Sequence, residues 1–137
     1  MATTIRKAAY FSMHTANRAG VGARMLKGLR DEGVNLRAFT GFPNAGRAQV
    51  DFIPVDTGKF LREARKLGIK VGKRKTVFIA QAADKPGAIA AICDKLAKAG
   101  INMVAMDAVC AGSGRYGAIF WVKSKDVGRA SRVLGAR

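Results

Sequence analysis

The sequence predicts an α+β protein built from two copies of one small unit, each ordered strand-helix-strand-strand-helix-strand. Three observations predict it. The 137-residue chain is 49% hydrophobic and 25% charged, the balance of a chain that buries a core. Sliding the sequence against itself by 67 residues, Asn17 onto Asp84, aligns glycines, apolar positions and turns in one frame. Within each copy the apolar residues switch between alternation and helical spacing in the same order. The match pairs Gly20 with Gly87, Leu29 with Leu96, Gly33 with Gly100, Asn35 with Asn102 and Phe11 with Phe78. A tandem duplication follows, with repeat one at 1–72, repeat two at 73–137, and the basic Lys73-Arg74-Lys75 at the join.

The first element of each copy is an apolar stretch rich in β-branched and aromatic residues, Ala8–Met13 and Thr76–Ala80, which reads as a strand. A cap-type residue follows, Asn17 or Asp84, then a glycine and a helix. Val21, Met25, Leu26 and Leu29 form one helix face, and Ile89, Ile92, Cys93 and Leu96 form the other copy's. Gly33 and Gly100 stop these helices. A second strand runs over 35–40 or 102–110, and a turn follows at Pro43-Asn44-Ala45-Gly46 or Gly112-Ser113-Gly114. The third strand alternates Ala48, Val50, Phe52 or Ala118, Phe120, Val122. A second helix carries Phe60, Leu61, Ala64 and Leu67, or Val127, Ala130 and Leu134. Repeat one then offers a fourth short strand, Ile69–Val71, whereas repeat two reaches Arg137 where its fourth strand is due, so that strand is missing or replaced by another segment. This order is the ferredoxin-like split βαβ, an antiparallel sheet with both helices on one face. Units of this size are marginal alone, and an unpaired sheet edge invites a homodimer.

Charge is the abnormal quantity. Lys and Arg number 25 against 9 Asp and Glu, a net charge of +16. Residues 1–75 hold 16 of the cations and 5 of the acids. Such a chain attracts anions: nucleic acid, acidic lipid, or a negatively charged small molecule or protein partner. Arg24, Lys27 and Arg30, and Arg62, Arg65 and Lys66, fall opposite the apolar stripes, as solvated helix faces do. No apolar run reaches the roughly 20 residues of a membrane span, and the N-terminus lacks the apolar core of an export signal. A cytoplasmic protein with Cys93 and Cys110 as free thiols is expected. Two cysteines and His14 make no zinc-type cluster, so no metal and no cofactor are expected. No nucleophile-base pair or carboxylate dyad can be assembled either, and no catalytic residue is assigned.

The segment VFIAQAADKPGAIAAICDKLAKAGINMVAMDA resembles the ACT domain, the regulatory module of aspartokinases and other amino-acid-controlled enzymes. The resemblance is carried by Asp84-Lys85-Pro86-Gly87 after the first strand and Gly100-Ile101-Asn102-Met103 opening the second; Asn17-Arg18-Ala19-Gly20 and Gly33-Val34-Asn35-Leu36 are a worn version without the proline. It covers nearly the whole chain as two ACT-like units with no enzyme sequence beside them. It implies a non-catalytic regulatory protein that binds a small effector, usually an amino acid, between paired domains. The implied site residues are Asp84, Pro86, Gly87 and Ala88, with Asn102 and Met103 opposite, and Asn17, Gly20, Val21 and Asn35 in repeat one. A helix N-terminus suits the ligand carboxylate, Gly87 lets it approach the backbone, and Asp84 suits an ammonium. Gly87→Val is expected to abolish binding with the fold mostly intact. Cap preference alone also accounts for Asn17 and Asp84, with Pro86 in the first helical turn.

A rival reading comes from the RNA recognition motif, which shares this element order. Gly114-Arg115-Tyr116-Gly117-Ala118-Ile119-Phe120-Trp121 and Val77-Phe78-Ile79 are partial look-alikes of its base-stacking strands. That reading requires Phe120 and Trp121 to face solvent.

Overall fold

The computed structural model describes residues 3–137. Its elements run β1 (Thr4–Thr15), α1 (Val21–Asp31), β2 (Leu36–Asn44), β3 (Arg47–Pro54), α2 (Thr57–Lys66), β4 (Lys75–Ala83), α3 (Ala88–Lys98), β5 (Met103–Gly112), β6 (Arg115–Val122), a single 3-10 turn (Ser124–Asp126) and α4 (Val127–Leu134). The described residues are α+β, with six strands and four helices in ferredoxin-type order. It forms two compact units, residues 9–75 and residues 3–8 with 76–137.

In the first unit the strand order is β2-β3-β1, with β1 and β2 antiparallel to the central β3. Phe11 faces Phe52 across one ladder, and Phe39 faces Phe52 across the other. These rings and Phe60 of α2 form the centre of the core, with Leu29 of α1 and Ala64 of α2. The helices start and stop by identifiable devices. Asp56 caps α2, its carboxylate accepting from the Lys59 N–H at 3.1 Å. Gly33, at φ 73°, closes α1, and the Val34 N–H reaches back to the Leu29 carbonyl. The β2-β3 hairpin turns on Ala45 and Gly46, both at positive φ, the backbone of a two-residue type I′ turn. Pro43 lies inside β2, where an edge strand tolerates a missing N–H. The expected fourth strand at 69–71 makes no regular ladder. The Gly72 N–H donates to the Ser12 carbonyl of β1 at 2.9 Å, and Ile69 is buried.

The second unit repeats the plan. Its strands are ordered β4-β6-β5 and antiparallel. Phe78 of β4 and Phe120 of β6 face one another across the ladder and stack at 5.3 Å. Ile92 and Leu96 of α3, and Ala130 and Leu134 of α4, cover them. Ser113 and Gly114 repeat the two-residue positive-φ turn. The missing fourth strand is replaced, and by the chain's own beginning. Ile5 is buried in this core. The Lys7 N–H donates to the Arg137 carbonyl at 2.8 Å, and the Arg137 N–H donates to the Ile5 carbonyl at 3.1 Å. Residues 3–8 therefore fold with the second unit, although the repeat frame counts them in the first.

Candidate functional site

The loop after β4 closes a cavity of about 320 Å³, lined by Asp84, Lys85, Gly87, Ala88, Ile89, Ala90, Ala108, Val109, Cys110 and Tyr116. The register explains this gathering. Tyr116 on the central β6 lies between Ala82 of β4 and Cys110 of β5, so the end of β4 and the last third of β5 flank it. Two bonds then tie the loop down. The Asp84 N–H donates to the Gly114 carbonyl at 2.8 Å. The Cys110 thiol donates to Asp84 Oδ2 at 2.9 Å.

The start of α3 supplies donors. The Ala88 N–H reaches the Lys85 carbonyl and the Ala91 N–H reaches the Gly87 carbonyl. That leaves the amides of Ile89 and Ala90, both on the cavity wall, as first-turn donors without a backbone partner among the described residues. Their partial positive charge sits beside Lys85, with Asp84 as the one acid of the lining. Tyr116 is buried, and desolvation raises its hydroxyl pKa above the ordinary tyrosine value.

The first unit has an equivalent. A cavity of about 260 Å³ is lined by Thr15, Ala16, Asn17, Arg18, Val21, Gly22 and, across the sheet, Phe39, Gly41, Phe42, Pro43, Ala48 and Val50. The Val21 N–H reaches the Arg18 carbonyl and the Arg24 N–H reaches the Gly20 carbonyl, the same pattern at the helix start. Its chemistry differs. Asn17 stands where the second unit has Asp84, and Ala48 where it has Tyr116, so the lining carries Arg18 and no acid.

Of the expected site residues, Asp84, Gly87 and Ala88 line one cavity, and Asn17 and Val21 the other. Pro86 and Gly20 belong to the same loops without lining the cavities. Asn102, Met103 and Asn35 are elsewhere. The 11 residues of α3 carry the chain roughly 16 Å from the loop before β5 begins. Asn102 is exposed there, and Met103 packs against the core. Asn35 is occupied locally, its side-chain oxygen accepting from the Leu36 N–H at 3.0 Å.

Two local expectations are corrected. Asp84 and Asn17 do not cap their helices: Gly87 and Gly20 hold the N-cap positions at φ 85° and 89°, with no side-chain cap. Pro86 precedes that glycine and lies outside the first turn. A Cβ on Gly87 would meet no protein atom within 4 Å, so within the chain it is the left-handed backbone that calls for glycine. Gly87→Val is accordingly expected to lower the melting temperature before any ligand is added. A left-handed residue with a Cβ costs about 1–2 kcal/mol, and a β-branched one more. Thermal melts of Gly87→Ala and Gly87→Val check the order.

Neither Tyr116 nor Cys110 is marked by sequence as a ligand-facing residue. The two-residue turn at Ser113-Gly114 is the available signal, since it sets Tyr116 beside the end of β5. The rival stacking platform is absent among the described residues. Phe78 and Phe120 are 0% exposed and Trp121 is 9% exposed. No three His, Cys, Asp or Glu side chains among the described residues gather as a metal site. No described helix is long and apolar enough to cross a membrane.

Comparison with known proteins agrees with the fold. Residues 75–137 match the family model of the ACT domain. No curated protein sequence matches the chain. Among solved structures, protein BT0572 from Bacteroides thetaiotaomicron superposes with a TM-score of 0.80 at 21% identity, covering 96% of this chain and 88% of that one. The regulatory subunit of aspartate kinase from Thermus thermophilus, in its ligand-free form, gives 0.64 at 14% identity, covering 98% and 95%. The aspartokinase alpha and beta subunits give 0.62 at 18% identity, covering 98% and 95%. The second unit thus matches the ACT domain, and the chain as a whole shares its fold with the regulatory subunit of aspartate kinase.

Proposed function

We propose that the protein is a non-catalytic regulator that binds an amino acid and passes its presence on to a partner. The observation that carries this reading is the second unit's cavity, where a carboxylate acceptor and two helix-start amides face a common space inside the ACT-matching segment. The ligand carboxylate takes the Ile89 and Ala90 amides, helped by Lys85. The ligand ammonium takes Asp84 Oδ1, because Oδ2 already accepts from Cys110. Gly87 and Pro86 shape the loop, and Ala88 forms the floor of the helix start.

The two units are read as a tandem duplication, repeats 1–72 and 73–137, with Asn17, Gly20 and Val21 as the worn counterpart site. A homodimer fits the edges. β2 and β5 each have one neighbour, and β5 exposes Val104 and Val109. A second copy seated there supplies Asn102, Met103 and Asn35 to a neighbouring loop, which one unit by itself does not. The exposed cations of α1 and α2 suit an acidic protein as the regulated partner. The two free thiols accord with a cytoplasmic setting.

A thermal-shift panel of the amino acids tests the reading. A ligand at about 100 times its dissociation constant adds about 2.7 kcal/mol, a rise of several degrees. A selective rise with one or two amino acids supports it. A flat panel overturns it.

A further inference from the structure

Tyr116 has no task in the binding scheme above, yet it is the feature that most distinguishes the second unit's cavity from the first. Its residue is 7% exposed, and its hydroxyl oxygen is buried with no hydrogen-bond partner. Such an orphan is costly, because water is lost and nothing replaces it. Its immediate neighbours offer no relief. The apolar part of the wall is Ala88, Ile89, Ala90, Ala108 and Val109, neither Lys85 nor Asp84 bonds the hydroxyl, and the Cys110 thiol is already committed to Asp84. The register position in the first unit is Ala48, which has nothing to satisfy. A core tyrosine that only filled space would serve as well without its oxygen.

We propose that Tyr116 is the specificity-determining residue of this cavity, exchanging a hydrogen bond with a polar group on the ligand's side chain. The ligand class is then an amino acid whose side chain carries a hydroxyl, amide or carboxylate. This inference rests on the amino-acid reading of the same cavity. Burial keeps the phenol neutral, so the hydroxyl both donates and accepts, and all three groups fit it. An apolar side chain of equal size leaves the hydroxyl orphaned in the complex as well, so the site discriminates against it. The first unit, with Ala48 and Asn17, has neither this selectivity nor the ammonium acceptor.

Calorimetric titration of the full chain with near-isosteric pairs tests this: L-threonine against L-valine, L-serine against L-alanine, and L-asparagine against L-leucine. In the wild-type chain the polar member of at least one pair is expected to bind about tenfold tighter or more, the worth of one buried hydrogen bond. Tyr116→Phe is expected to bring that pair within about twofold. The same substitution should leave the ligand-free melting temperature unchanged or raised, since it removes an unpaired buried oxygen. A merely structural tyrosine leaves the pair ratio where it was. Amino-acid binding in which Tyr116→Phe keeps the polar preference, or in which the wild type favours the apolar members, overturns this inference and leaves the sensor reading standing. No binding of any amino acid overturns both.

Discussion

Asp84→Asn weakens amino-acid binding by about tenfold or more, and it leaves binding of the matching carboxylic acid without the amino group within about twofold. The substitution keeps the size of the side chain and an oxygen for the Cys110 thiol, so the loop retains its tie to β5. What it removes is the only negative charge in the lining. A hydrogen bond to a charged group is worth about 1.5–3 kcal/mol, and the exposed position of Asp84 takes the lower end of that range. The carboxylate end of the ligand relies on the Ile89 and Ala90 amides, which the change does not touch. The substitution also reproduces what the first unit carries at Asn17. The variant therefore asks whether the two cavities differ by this one group. Titration of both ligands against both proteins decides it. Equal losses for the two ligands would place Asp84 in the fold of the loop rather than on the ammonium.

The parts of the fold set by local chemistry were legible in the sequence. Glycines at Gly33 and Gly100, apolar spacing in α1 and α3, and alternation around Phe52 and Phe120 place the elements because each depends on its own few residues. The loops were legible as loops, but their caps were misread. Asn17 and Asp84 are good cap residues by type, yet each lies a few positions before its N-cap glycine, and propensity does not see a left-handed backbone. The site was half legible. Asp84, Gly87 and Ala88 are close in sequence and are also adjacent in space. Tyr116 and Cys110 reach the cavity only through the β4-β6-β5 register, which no short motif encodes. Asn102 entered through the resemblance, as a residue offered by a paired domain, and within its own unit the length of α3 sets it at the other end from the loop.

Ile5→Ala destabilises the second unit by about 2–5 kcal/mol, the cost of emptying a buried isoleucine site. The prediction is counterintuitive from sequence, because Ile5 lies 71 positions before Thr76, where the rest of that unit begins. β1 explains it. Ala9, Phe11 and Met13, at alternate positions of β1, share one side of the first unit's stretch of that strand. Ile5 joins the core of Phe78, Phe120 and Leu96, whereas Phe11 joins that of Phe52, Phe60 and Leu29. One strand thus supplies two cores in succession, and residues 5–7 hold the Arg137 end by two backbone bonds. The measurement is amide hydrogen exchange, with Trp121, the single tryptophan, as a fluorescence check on the same unit. Ile5→Ala should lower protection in β4 and β6 while β2 and β3 keep theirs, and exposed Arg6→Ala should change neither. Protection lost first in β2 and β3 would return Ile5 to the first unit. The arrangement also bears on where the chain can be divided. The second unit takes a strand from the chain's beginning, so a cut at Lys73 removes part of its sheet and its core rather than separating two finished units.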